Sequence, residues 1–138
     1  NAIKNLNKKI EFNYVCCVYP MSILISKKDI EKSKKILRRK NQIVFPSIKF
    51  SHPIFRAFKL SKNNDVMYLN NSNEINKQTQ LFPEHFHDSG QFYIGHKVAW
   101  LNFSKSKKKS FQIPFYRSID VDNYDDLLKL KIFYKKFK

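Results

Sequence analysis

Apolar positions along this chain fall into short runs whose spacing changes from one segment to the next. Ile3, Leu6 and Ile10 recur at helical spacing and predict a short amphipathic helix. Tyr14 to Tyr19 (Tyr-Val-Cys-Cys-Val-Tyr) is a continuous apolar run of strand length. Such a run suits a central strand covered on both faces, as in a parallel sheet. Pro20 stops it, and Pro20-Met21-Ser22 forms the loop at its carboxyl end. Ligands bind at that end in open α/β sheets. Ser26-Lys27-Lys28-Asp29 has the form of a capping box with Asp in place of Glu. Behind it Ile30, Ser33 and Leu37 share one helix face, with Ile36 beside them. Lys34 to Lys40 gather positive charge at the carboxyl end, where the helix dipole favours it. Strand, loop and helix make one βα unit.

Ile43 to Phe50 predicts a second strand, interrupted at Pro46. Ile54 to Leu60 alternates roughly, Lys62-Asn63-Asn64-Asp65 reads as a turn, and Val66 to Leu69 pairs back as a hairpin. Asn70 to Gln80 is polar and carries no element signal. Gln91 to Ile94 predicts a strand of aromatic and β-branched residues. His96 to Leu101 predicts a short helix with Val98, Trp100 and Leu101 inward. Phe111 to Tyr116, with Pro114, reads as the last strand. Asp122 or Asn123 caps a closing helix with Asp125 and Asp126 in its first turn. Tyr124, Leu127, Leu128, Lys131 and Tyr134 supply its buried side and rim. The fold class is α/β, and no internal repeat is present.

The 138 residues are enough for one domain with a core, residues 1–138. A hydrophobic share of 42% excludes wholesale disorder. No apolar run reaches the roughly 18 residues that span a bilayer, and no secretory signal opens the chain. Cys16 and Cys17 are adjacent, so on a strand their side chains point to opposite faces and do not pair. They read as small buried hydrophobes in a reducing, cytoplasmic setting. The net charge of +16 raises a nucleic-acid reading. The lysines are nevertheless spread along the chain, with one dense cluster at Lys105 to Lys109 that reads as a solvated loop.

Candidate chemistry gathers in two places. Asp88-Ser89-Gly90 is a tight turn entering the strand at Gln91, and only glycine lets backbone approach another molecule so closely. His85 and His87 precede it, without the thiolates or further histidines that complete a zinc set. Asp120 and Asp122 lie two apart, and on extended backbone their Cα atoms are roughly 6–7 Å apart on one face. Such a pair can hold Mg²⁺ directly or through water, with substrate phosphates completing the octahedron. The alternative is that Asp122 is a helix cap and Asp120 a surface residue. Ile119 and Val121 would point the other way, into the core.

Four segments together resemble the acylneuraminate cytidylyltransferase (CMP-sialic acid synthetase) family, in particular its pseudaminic acid enzymes. They are Val15-Cys16-Cys17-Val18-Tyr19-Pro20, Phe50-Ser51-His52-Pro53-Ile54 with Arg56-Ala57, His87-Asp88-Ser89-Gly90-Gln91-Phe92-Tyr93, and Tyr116-Arg117-Ser118-Ile119-Asp120-Val121-Asp122. Asn76, Lys77 and Gln80 extend the likeness. The resemblance implies a partial Rossmann-like nucleotide-diphospho-sugar transferase sandwich, with a β-hairpin dimerisation and sugar-pocket insertion at about residues 50–85, and a homodimer. It implies transfer of CMP from CTP to a nine-carbon α-keto acid sugar, with Mg²⁺ on Asp120 and Asp122, the residues it marks as catalytic. Tyr19, Pro20 and Ser22 would line the nucleotide–sugar cleft. His87, Asp88, Ser89, Gly90, Gln91 and Tyr93 would shape the sugar pocket, and Arg56 would face the sugar carboxylate. The family's glycine-rich triphosphate loop has no counterpart here, Met21 and Ile23 replace Thr and Pro, and Gln78 stands where Arg is common. The expectation is therefore a carboxyl-terminal portion that does not turn over CTP alone. The alternative function is a basic nucleic-acid-binding module.

Overall fold

A computed structural model describes residues 2–70, 77–119 and 121–137. In chain order the elements are α1 (Ala2–Asn7), β1 (Tyr14–Val18), α2 (Lys27–Ile36), β2 (Gln42–Lys49), β3 (Phe58–Leu60), β4 (Val66–Tyr68), β5 (Phe86–Asp88), β6 (Phe92–His96), α3 (Lys97–Leu101), β7 (Lys107–Gln112) and α4 (Tyr124–Phe137). They fall into two compact units, Asn1–Ile48 with Asp88–Lys138, and Lys49–His87. The fold is mixed α/β, as its alternating elements predict. Among the described residues no helix is long and apolar enough to cross a membrane.

In the first unit β6 lies between β1 and β2 and runs antiparallel to both, with Cys16 opposite Ile94 and Val44 opposite the same residue. β7 pairs with the other side of β2 in parallel, Val44 opposite Lys109 and Pro46 opposite Phe111. Val44, Ile48, Phe92, Ile94, Phe111 and Ile113 form the core, and Ile25, Ile30, Ile36 and Leu37 pack on it from the α2 side. Each such side chain, fully buried, contributes about 1.5–3 kcal/mol. The capping box of α2 forms as predicted: Ser26 Oγ accepts from the Asp29 amide, and the Asp29 carboxylate accepts from the Ser26 amide at 3.0 Å. Gly95 is required by packing, since a Cβ there would lie 2.9 Å from the Gln42 carbonyl oxygen and 3.0 Å from Ile43 Cγ1.

Several expectations change. β1 is an edge strand antiparallel to its neighbour, not a central parallel strand, and Cys16 and Cys17 are both exposed. An apolar run cannot by itself say whether both its flanks are covered. β2 runs unbroken through Pro46, which lies beyond the two residues that pair with β6, and the Pro46 carbonyl accepts from the Ser89 amide. β7 begins inside the lysine cluster, because an edge strand pairs through backbone while its lysine side chains stay in water. In α3 the buried residue is Ala99, with Val98 and Leu101 exposed, and Trp100 donates Nε1–H to the Val15 carbonyl at 3.1 Å. In α4 the buried anchor is Leu130, while Tyr124 and Leu128 face solvent.

The second unit holds the predicted hairpin, with Phe58 opposite Tyr68. Ser61 Oγ accepts from the Asn63 and Asp65 amides at 3.1 and 3.0 Å, and Asn64 takes the left-handed conformation at φ 66°. Phe55 stacks on Phe82, and Lys49 pairs with Glu84 at 2.5 Å.

Candidate functional site

The first unit contains a cavity of about 220 Å³ at the carboxyl end of β1. Tyr19, Pro20, Met21, Ser22 and Leu24 form one wall, Ser89, Gly90 and Gln91 a second, and Arg117, Ile119 and Leu130 close it. The two predicted segments therefore meet. They do so because the loop after β1 and the turn before β6 flank one antiparallel pair, and the Tyr19 amide donates to the Gln91 carbonyl at 2.9 Å.

Each wall is fixed by named bonds. Ser22 Oγ donates to the Gln91 carbonyl at 2.5 Å, and Ser118 Oγ donates to the Ser89 carbonyl at 2.6 Å. The Asp88 carboxylate accepts from the Gly90 amide at 2.9 Å, closing an Asx turn. Gly90 has φ +64°, and nothing lies within 4 Å of where a Cβ would stand. Conformation rather than crowding thus selects glycine there. Gln91 donates Nε2–H to the Arg117 carbonyl. The Arg117 guanidinium donates to both Asp29 carboxylate oxygens and to the Leu24 carbonyl at 3.0 Å. Side-chain exposure is 21% for Arg117 and 8% for Asp29, so water screens this pair poorly. Burial opposes the charge on Asp29, but hydrogen bonds from Arg117 and Ser26 outweigh it and hold the carboxyl below its usual range.

Ser89 and Gln91 line the cavity. Among the described residues Ser89 Oγ and Gln91 Oε1 are buried side-chain atoms with no hydrogen-bond partner. Buried polar atoms left unpaired cost free energy.

The other predicted residues lie elsewhere. Tyr93 is on β6, edge-on to Tyr19 with ring centroids 6.0 Å apart and 5.2 Å from Phe45, so it backs the Tyr19 wall rather than lining the cavity. His87 and Arg56 belong to the second unit. His87 packs on Phe50 at 4.7 Å, and Arg56 donates to Thr79 Oγ1 at 3.1 Å and to the Lys77 carbonyl at 2.6 Å. Asn76 and Asp120 lie outside the described residues. Asp122 is exposed at the start of α4, where Asn123 is the cap: its Oδ1 accepts from the Asp126 amide at 3.0 Å. Ile119 faces the cavity rather than the core. Among the described residues no three His, Cys, Asp or Glu side chains gather as a metal site. Sequence reading missed Arg117 and Asp29 as a pair. Their types are ordinary, and their link spans 88 positions.

The first unit is thus a mixed α/β unit whose cavity lies between the loop after β1 and the glycine turn before β6. Two curated relatives, the pseudaminic acid cytidylyltransferases of Campylobacter jejuni strains 81-176 and NCTC 11168, are each 31% identical over 140 aligned positions. The match takes in 98% of this chain and 60% of each relative, so the chain spans about three fifths of their length. No family model matches. Over almost all of its own length the chain is thus similar to pseudaminic acid cytidylyltransferases, the enzymes that its motifs resemble.

Proposed function

We propose that this chain supplies the acid-sugar wall of a cytidylyltransferase that makes a CMP-sugar from CTP and pseudaminic acid or a related nine-carbon α-keto acid sugar. The supporting observation is the cavity between the loop at Tyr19 and the turn at Ser89 to Gln91, in a chain similar to pseudaminic acid cytidylyltransferases. A polyhydroxylated, N-acylated sugar brings hydrogen-bonding groups that suit a wall of hydroxyl, amide and backbone groups. In the reaction the anomeric hydroxyl oxygen bonds to the α-phosphorus of CTP. The bond from that phosphorus to the bridging oxygen breaks, pyrophosphate leaves, and the hydroxyl proton passes to solvent or a base.

Roles follow from position. Ser89 and Gln91 orient the sugar, Gly90 lets it approach the backbone, and Tyr19, Pro20 and Ser22 form the opposite wall. Arg117 and Asp29 are positioning residues that hold Gln91 and Leu24. Asp120 and Asp122 offer hard carboxylate oxygens suited to Mg²⁺, which supplies charge compensation at the phosphates. Asp88 holds the Gly90 turn and Tyr93 backs the Tyr19 wall, and the second unit is the dimerisation element of a homodimer. The fragment alone does not turn over CTP.

The chain joined to the remaining part of its Campylobacter relative should release pyrophosphate from CTP and pseudaminic acid. No release from a folded joined protein overturns this reading.

One observation favours a second reading. Arg38, Arg39, Lys107, Lys108 and Lys109, with Gln42, line a cavity of about 280 Å³ that has no carboxylate in its wall. That surface suits a nucleic-acid backbone, and binding to random-sequence duplex DNA would then fall steeply with salt. Replacing Lys107 to Lys109 by Gln should abolish that binding, and affinity unchanged by the replacement removes this second reading.

A further inference from the structure

Three strands of the first unit start at the same end of the sheet. β1 and β2 are both antiparallel to β6, and β7 is parallel to β2, so Tyr14, Gln42 and Lys107 open strands that run the same way. The cavity at Tyr19 lies where β1 finishes. The opposite end carries a surface of its own.

That surface is basic. Arg38, Arg39 and Lys107 to Lys109 line the cavity of about 280 Å³. The Lys107 amide donates to the Asn41 carbonyl at 2.8 Å, and beside that bond lies a second hollow of about 180 Å³, lined by Asn41, Val98, Asn102 and Lys105 among others. Neither wall contains a carboxylate. Asp29 and Asp88 serve the other end of the sheet, on Arg117 and Gly90. Burial, and then the charges of Lys40 and Lys97, hold the His96 imidazole below its ordinary value, so positive charge is concentrated where the strands start. The same surface is apolar in part. Val98 is 41% exposed, and Leu101, one turn further along α3, is 40% exposed.

We propose that this end of the sheet docks on an anionic phospholipid bilayer. Arg38, Arg39, Lys105 and Lys107 pair with headgroup phosphates, while Val98 and Leu101 rest against the boundary of the acyl chains. A nucleic-acid duplex would meet the same cations, but it offers Val98 and Leu101 only a charged backbone, so the apolar side chains favour the bilayer. Docked in this way the chain keeps the cavity at Tyr19 and Gly90, at the far end of the strands, clear of the lipid. The inference does not rest on the sugar assignment.

The test floats the chain with vesicles of phosphatidylglycerol and phosphatidylcholine in equal parts, and with vesicles of phosphatidylcholine alone. Binding should be at least about tenfold tighter to the anionic vesicles and should fall with added salt. Arg38→Gln with Arg39→Gln should weaken it about tenfold or more, since each basic residue near an anionic surface strengthens binding about fivefold. Val98→Gln removes no charge, and should weaken vesicle binding about threefold while leaving binding to random-sequence duplex DNA unchanged. Urea melts check that each variant is folded, and Lys105→Gln with Lys107→Gln replaces the arginine pair if that variant is not. The proposal is overturned by no flotation, by equal binding to both kinds of vesicle, by vesicle binding that the exchanged cations or Val98→Gln leave unchanged, or by binding to DNA without binding to vesicles. None of these readouts involves CTP turnover, so failure here is distinguishable from failure of the sugar reading.

Discussion

Ser89 and Asp29 show how two polar residues of one site call for opposite responses to mutation. Ser89 Oγ has no partner among the described residues, so Ser89→Ala removes an unmet polar atom and should leave the urea midpoint unchanged or slightly raised. Asp29 holds Arg117, and Asp29→Asn breaks a poorly screened ion pair, which should cost about 3 kcal/mol in urea melts. The pH sign follows from the lowered carboxyl of Asp29. Its contribution is complete above the unfolded carboxyl value of about 3.9 and fades as pH falls through the lower folded value. Melts from pH 7 to pH 2 should show this loss in the wild type, and Asp29→Asn should flatten that part of the slope. Ser26 to Asp29 announces itself as a cap, but nothing local tells that the same carboxylate also receives Arg117. That second role exists only once α2 and the turn at residues 115–117 meet.

Elements were legible where the signal is local. The Ser26 cap fixes the start of α2, and Asn63-Asn64 fixes the turn between β3 and β4. Where a strand's place in the sheet matters, sequence is ambiguous. The apolar run of β1 reads as central because apolar residues usually have cover, and only the pairing shows one flank open. The lysines of β7 read as loop because charge masks a strand that is held by backbone bonds and anchored by Phe111. In α4 Leu130 is buried and Leu127 and Tyr134 of the expected face are half-buried, while Tyr124 and Leu128 of that face turn to solvent. Gly95 belongs at this scale. Gly95→Ala pushes a methyl against the backbone of β2 and should cost about 1–3 kcal/mol by thermal or urea melts, whereas a neutral effect would mean β2 and β6 are less tightly paired.

For the molecule as a whole, two segments about 70 positions apart, the loop at Tyr19 and the turn at Gly90, are brought together by the β1–β6 pair. Their meeting was foreseeable from the family resemblance, and the partnerless oxygens of Ser89 and Gln91 were not, since they depend on what fails to reach them. Ser89, on the cavity wall, is the most informative position. In the chain completed with the remaining part of its relative, steady-state kinetics of Ser89→Ala test the cavity most directly. The sugar KM should rise roughly tenfold while the CTP KM and the folding midpoint hold, as expected for one lost hydrogen bond to bound sugar. An unchanged sugar KM, or a rise confined to CTP, would contradict the assignment of this cavity to the acid sugar.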